Sequence, residues 1–250
     1  MANWSDVGAF HPIQKESLDA ALRLRSEHMT EWAVSSTALY SMRDALPGNG
    51  DAAVLGRVAA VNSLYNAGLG SAVMPMTRRI QLLTAEGSLQ QKSDAPADVV
   101  ERIAFLPGRK SDAPGCQVFA SKYAHFFVDP SKYPIYDQHA ARALMRHDGV
   151  LTPGVLDGRE RYRRFCEVLA SVVSRSPGVE SAGYGDLDAY LWLAGIFREW
   201  SRRRLGLRWR AINANSSRFF DLHLGSGNEV DDLLGVLVDA DWFFEDIPAS

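Results

Sequence analysis

The sequence predicts an all-α protein. Apolar residues recur at three- and four-residue spacing along most of the 250 residues, sustained period-two alternation is absent, and Pro- and Gly-rich breaks divide the pattern into about nine or ten helix-length segments. No internal repeat or low-complexity tract demands a repeat architecture or a disordered tail.

Ser17 to Leu46 reads as one long or two shorter amphipathic helices, closed by Pro47-Gly48-Asn49-Gly50. Asp51 to Gly68 follows, with Asp51 as N-cap and Val54, Val58, Val61, Leu64 and Tyr65 along one face. In the next helix, Val73 to Leu83, Pro75 is compatible with the first turn only. Pro96 to Leu106 starts at a helix-compatible proline, and Leu106 to Gly115 is a turn-rich connector. Cys116 to Phe127 resumes the helical pattern. Asp129-Pro130 and Tyr133-Pro134 then break it, because a residue before proline is pushed out of the α region. Asp137 heads Gln138 to His147, as an N-cap carboxylate would. Gly158 to Ser174, Asp186 to Leu205 and Asn228 to Val238 complete the set. In the second of these, Asp186 or Asp188 serves as cap, and Leu187, Leu191 and Ala194 form the packing stripe.

Composition narrows the class. With 46% hydrophobic and 23% charged residues the chain has a globular core. Two cysteines, Cys116 and Cys166, are too few for a disulfide framework, and neither belongs to a Cys-x-x-Cys pair, so a reducing, cytoplasmic setting is expected. The N-terminal residues lack the basic and apolar regions of a secretion signal, and no apolar run approaches the roughly 20 residues of a membrane helix. The six histidines and two cysteines fall at no zinc spacing, Gly68-Leu69-Gly70 lacks the rest of a dinucleotide fingerprint, and no Gly-x-Ser-x-Gly elbow occurs. No metal or cofactor is implied.

Charge is unevenly placed. Residues 221–250 hold eight acidic groups and no Lys or Arg, so residues 1–220 carry +5 although the whole chain carries −3. Arg198, Arg202, Arg203, Arg204, Arg208 and Arg210 form one basic group, and Arg159, Arg161, Arg163 and Arg164 a second. Such groups either neutralise phosphates or are solvated helix faces. The acidic end carries Val230, Leu233, Leu234 and Leu237 at helical spacing and is expected to pack on the body.

The most informative stretch is Pro114 to His139, which reads as helix, turn, helix, tight extended loop, acidic N-cap, helix, with the Pro-Gly turn as a hairpin between two helices. A Pro-Gly turn ahead of a helix presents backbone N–H groups suited to a phosphate oxygen. From spacing alone Asp137 has two readings, an ordinary N-cap or a carboxylate presented for chemistry.

Here the chain resembles the helix-hairpin-helix DNA glycosylase superfamily, and within it 8-oxoguanine-glycosylase-like proteins. The resemblance rests on the hairpin region 106–118, on Ala120 as the small residue of the following helix, and on Tyr133-Pro134-Ile135-Tyr136-Asp137 as the loop bearing the essential aspartate. It covers residues 52–147 and implies two helical lobes of a single domain around a cleft. The implied partner is double-stranded DNA with a flipped base, and the implied reaction is hydrolysis of the N-glycosidic bond. Asp137 is then the catalytic residue. The lysine that bifunctional relatives use is replaced by Val118, so no β-lyase step is expected unless Lys122, one turn further on, takes that place. The earlier helix, Arg57 to Ala67, resembles the one that reaches into the gap left by the displaced base, which nominates Asn62, Tyr65 and Asn66. Gln117, Tyr136 and His139 are the other base-side candidates, and Phe126 and Trp192 further stacking groups. Gly115, Cys116, Arg202 and Arg203 are the expected backbone contacts. The alternative is a catalytically inactive DNA-binding or regulatory helical module, and a third possibility is a helical protein that never meets nucleic acid.

Overall fold

The computed structural model describes residues 9–89, 95–106, 114–149, 160–206 and 212–237. Among them are eleven α-helices and no strand. The chain divides into two compact units. The first comprises Met1–Met29, Asp137–Val155 and Glu167–Ser250; the second comprises Thr30–Tyr136 and Leu156–Cys166.

In the first unit, α1 (Lys15–Arg23) continues into a π turn at Leu24–His28. Helix α7 is Gln138–His147, α9 is Tyr184–Arg204, α10 is Ala214–His223 and α11 is Glu229–Leu237. Helix α8 (Arg161–Ser174) begins in the second unit and ends in the first. Helix α9 is the centre, buried almost all round from Leu187 to Trp200, with α1, α7 and α10 packed on it. A helix buried on every side needs such company, and the charged residues buried with it need partners, as Glu199 has in Arg142 of α7. Three small buried residues of α7, Ala140, Ala141 and Ala143, and Gly195 of α9 let two backbones approach closely. A Cβ added at Gly195 would lie 2.6 Å from the carbonyl carbon of His139. Trp200 stacks on Phe197 at 5.6 Å, meets Phe220 of α10 at 5.5 Å, and donates its indole N–H to Asp221 at 3.0 Å. The apolar face of α11 (Val230, Leu233, Leu234, Leu237) is buried, and Ser17 of α1 donates to the Val236 carbonyl at 2.9 Å.

The second unit holds α2 (Thr30–Ala45), α3 (Asp51–Leu64), a 3-10 turn at Gly70–Ala72, α4 (Val73–Ala85), α5 (Pro96–Ala104) and α6 (Pro114–Phe127). Helix α6 is its spine, with Phe119, Ala120 and Ala124 fully buried and α5, α3 and α2 against it. The buried Arg57 guanidinium donates to the carbonyls of Leu46 and Gly48, tying α3 to the turn that ends α2. Arg163, in the first turn of α8, pairs with Asp98 of α5 at 2.6 Å.

Several helix ends depart from the sequence reading. Gly50, not Asp51, is the N-cap of α3, and the Asp51 carboxylate instead accepts from Gln81 at 2.6 Å. Helix α6 starts at Pro114, so residues 114–118 of the predicted hairpin are the first turn of a helix, while 107–113 lie outside the described residues. Helix α9 is headed by Gly183, Asp186 pairs with Arg25 at 3.3 Å, and Asp188 is buried. Helix α10 was not foreseen; its N-cap Asn213 accepts from the Ser216 N–H at 2.7 Å. Arg159, Arg208, Arg210 and residues 238–250 of the acidic end lie outside the described residues.

Candidate functional site

The candidate residues are built around the exit from α6 and the entry into α7. Asp129, just after α6, folds its carboxylate back to accept from the backbone N–H and hydroxyl of Ser131 at 2.9 and 2.6 Å. Beyond it the chain is extended, because Pro134 forbids helix and supplies no N–H. The polar backbone of a buried extended segment has no ladder to join and must find side-chain partners. It does so within the second unit. His125 Nδ1 donates to the Tyr133 carbonyl at 2.9 Å and the Tyr162 hydroxyl to the Pro134 carbonyl at 2.9 Å. The Tyr136 N–H donates to Ser121 Oγ at 3.0 Å. Ser121 Oγ lies 3.1 Å from the Val118 carbonyl oxygen and 3.4 Å from that of Tyr136, so these two share its hydroxyl proton.

The next residue is Asp137, the N-cap of α7. It is half-buried, its backbone is extended (φ −138°, ψ 151°), and Oδ1 accepts from the His139 N–H at 2.8 Å. The carboxylate is therefore oriented by its own helix, at the end where the helix dipole favours negative charge. His139 adds its carbonyl to the tight contact with Gly195. One turn further, Arg142 pairs with the buried Glu199 at 3.0 Å. In the same unit Arg203 is exposed and reaches Ser217 at 3.2 Å, Arg202 is half-exposed, and Arg204 lies over the Trp200 ring at 5.1 Å.

In the second unit the structure brings together two candidates that lie 57 positions apart. Lys122 is 5% exposed, and its Nζ sits 5.1 Å from the centroid of the half-exposed Tyr65 ring. That ring is held by Phe126 at 5.3 Å and by a 2.6 Å hydrogen bond from its hydroxyl to Ser36 Oγ, which itself donates to the Trp32 carbonyl. Tyr65 thus has a fixed ring plane with a cation close to it.

Other candidates fall elsewhere. Asn62 Oδ1 accepts from the Leu69 N–H at 2.9 Å and fastens the loop after α3. Asn66 is exposed at positive φ (44°), a turn position that asparagine tolerates. The Tyr136 ring is buried against Tyr162 and Phe165 at 6.5 and 5.4 Å; this corrects its reading as a stacking group, because only its backbone faces the loop's partners. Phe126 is likewise core, edge-on to Tyr40. Gln117 and Cys116 are buried in the first turn of α6, which Gly115 also occupies.

Sequence reasoning missed Ser121, Tyr40, Ser36 and Tyr162, and set His125 aside. The i, i+4 pairing of Ser121 and His125 ahead of a Pro-containing loop was the available signal. His125 is held neutral: burial, followed by the nearby Arg43, lowers its pKa, opposed by the Tyr133 carbonyl bond. With Nδ1 donating, Nε2 accepts the Tyr40 hydroxyl at 2.8 Å.

No protein-family model, characterised protein or solved structure matches the chain. Among the described residues no group of three His, Cys, Asp or Glu side chains is placed to hold a metal ion, and no helix is long and apolar enough to cross a membrane.

Proposed function

We propose that this chain is a helix-hairpin-helix glycosylase-like protein that hydrolyses the N-glycosidic bond of a flipped, damaged or modified base in double-stranded DNA, with Asp137 as the catalytic carboxylate and without a lyase step. The observation that supports the reading is Asp137 itself, a half-buried carboxylate oriented by the His139 N–H at the head of α7. Loss of a base leaves positive charge on the sugar, and a fixed carboxylate near the anomeric carbon stabilises that charge and orients the attacking water. The base must leave the stack first, at a cost of a few kcal/mol, which favours lesions that pair weakly. On the second unit, Tyr65 and Asn66 are assigned to the duplex at the displaced base. Lys122, close to the Tyr65 ring, is assigned no covalent role. The first-turn N–H groups of α6 at Gly115 and Cys116, and the arginines Arg202 and Arg203, are assigned to phosphates.

Asp137→Asn tests this cleanly. Asparagine caps a helix about as well as aspartate, so the variant keeps the acceptor for the His139 N–H and removes only the charge. The parent protein is to be screened against duplexes carrying different damaged or modified bases, with single-turnover release and binding measured at several salt concentrations. The expected result is release from at least one duplex, a roughly 10²–10³-fold slower release by Asp137→Asn, and unchanged, salt-dependent binding. Salt-dependent binding without release from any duplex by the parent overturns the enzyme and leaves a DNA-binding module. Absence of salt-dependent binding overturns DNA as the partner.

A further inference from the structure

We propose that the surface where α4 meets the end of α5 binds an unpaired stretch of nucleic acid, with a base on Phe105 and phosphates on Arg78 and Arg79. The inference shares the nucleic-acid partner of the preceding reading but not its reaction, and it lies wholly within the second unit. Helix α4 buries Met76, Ile80 and Leu83 and leaves the opposite arc to solvent. Met74, Arg78 and Leu82 follow one another along that arc at four-residue steps, each a turn of the helix plus about 40°. Met74 and Leu82 are 49% and 50% exposed. Arg79 stands at the edge of the arc towards α5. Phe105 ends that helix: its N–H donates to the Glu101 carbonyl at 3.0 Å, its backbone is extended (φ −74°, ψ 110°), and it is 49% exposed. Arg79 Nε donates to the Arg102 carbonyl at 3.0 Å, one of those α5 cannot satisfy itself, and the guanidinium carbon lies 5.8 Å from the centroid of the Phe105 ring.

Each part of this arrangement suits a splayed strand. The Nε bond holds Arg79 beside the ring, while its two terminal amino groups, and the whole guanidinium of the exposed Arg78, have no partner among the described residues. Those N–H groups form the fork that a phosphate accepts. Helix α4 contains no Asp or Glu to neutralise them. Glu86 follows the helix, and Asp51 is engaged with Gln81, about 200° round the axis from Arg79. The Phe105 ring decides between strand and duplex. A base offers its π-face only when it has left the stack, so a half-exposed aromatic ring next to open guanidinium donors grips an unpaired nucleotide and not a paired one. An amphipathic protein helix is the poorer occupant, because Arg78 interrupts the apolar positions and Met74 and Leu82 stand about 12 Å apart along the axis.

The experiment uses the full chain and follows the fluorescence anisotropy of a labelled oligothymidylate of about 12 nucleotides, and of a blunt duplex of the same length, at several salt concentrations. Phe105→Ala is expected to weaken single-strand binding by about 10-fold, and Phe105→Leu, which keeps apolar bulk without a π-face, nearly as much. Duplex affinity should change by no more than about 2-fold in either. Arg78→Gln and Arg79→Gln should each lower the slope of log affinity against log salt on the single strand by about 0.7. Arg78 is exposed and makes no contact among the described residues, so its variant tests the surface even where Phe105→Ala alters helical content. Unchanged single-strand affinity in both Phe105 variants, or an equal loss on strand and duplex, overturns the base contact, and unchanged slopes overturn the phosphate contacts. Displacement of the oligonucleotide by polyglutamate at equal charge concentration assigns the surface to an acidic protein and overturns the inference. A parent that binds the duplex but not the single strand overturns it too, and leaves the glycosylase reading intact. Single-strand binding with the expected losses, in a parent that releases no base from any duplex, supports this inference while the glycosylase reading falls.

Discussion

Replacing Gly195 by alanine tests whether the α7–α9 packing that seats Asp137's helix is as close as described. The new Cβ would lie 2.6 Å from the carbonyl carbon and 3.1 Å from the Cα of His139. Non-bonded carbons settle at about 3.5–4.0 Å, so the two helices would have to part by about 1 Å. The obstructing atoms are backbone and cannot swing aside as a flexible side chain would. Overpacking of this kind costs about 3 kcal/mol, at the upper end of the usual range. The higher helix propensity of alanine returns about 1 kcal/mol, leaving a net loss of about 2 kcal/mol. At roughly 4 °C per kcal/mol for a unit of this size, Tm falls by about 8 °C. Thermal melts followed by far-ultraviolet circular dichroism make the measurement. Gly235→Ala in α11 is the control: nothing lies within 4 Å of its added Cβ, so the same chemical change should raise Tm by roughly 2–4 °C. A Gly195→Ala protein melting at or above the parent would refute the close approach of α7 and α9.

Two more outcomes follow from the buried His147, whose Nδ1 donates to the His11 carbonyl at 2.8 Å and whose Nε2 receives the Tyr190 hydroxyl at 2.9 Å. Burial pushes its pKa down to about 4, against an ordinary value near 6.5 in the unfolded chain. The fold therefore favours the neutral ring, and the stability this contributes is complete above pH 6.5 and is lost as pH falls toward 4. Denaturant melts across that window should show a decline on the order of 3 kcal/mol that a His147→Gln protein does not share, and a flat profile in the parent would contradict it. Tyr190→Phe leaves the buried Nε2 without its donor and should cost about 1–3 kcal/mol at neutral pH; an unchanged denaturation midpoint would rule that bond out.

What the sequence made legible was local chemistry. The helical period, the breaks at Pro47-Gly48, Pro130 and Pro134, and the Asp137 cap all depend on residues within a few positions of one another, and each is found in the structure. Helix α10 is not among the predicted segments, since Asn213, Asn215, Ser216 and Ser217 carry no apolar period; Phe220 is buried against Trp200, a contact 20 residues away that local pattern does not carry. The same limit hid the candidate site's partners. Lys122 and Tyr65 meet only because α3 and α6 pack together, and Ser36 joins them from α2. Tyr136 looked like a stacking group because an aromatic beside the key aspartate invites that reading, whereas its ring is claimed by Tyr162 and Phe165.

The interleaved chain has a practical consequence for dissecting this protein. Neither unit is one uninterrupted stretch of polypeptide, since residues 30–136 are completed by 156–166. A fragment stopped after Tyr136 would be without the phenol that holds Pro134 and the guanidinium that pairs with Asp98. Removing residues 9–29 or 212–237 thus takes away part of a core rather than a module. Separating the two halves genetically calls for a rearranged gene, in which residues 30–136 are joined to 156–166.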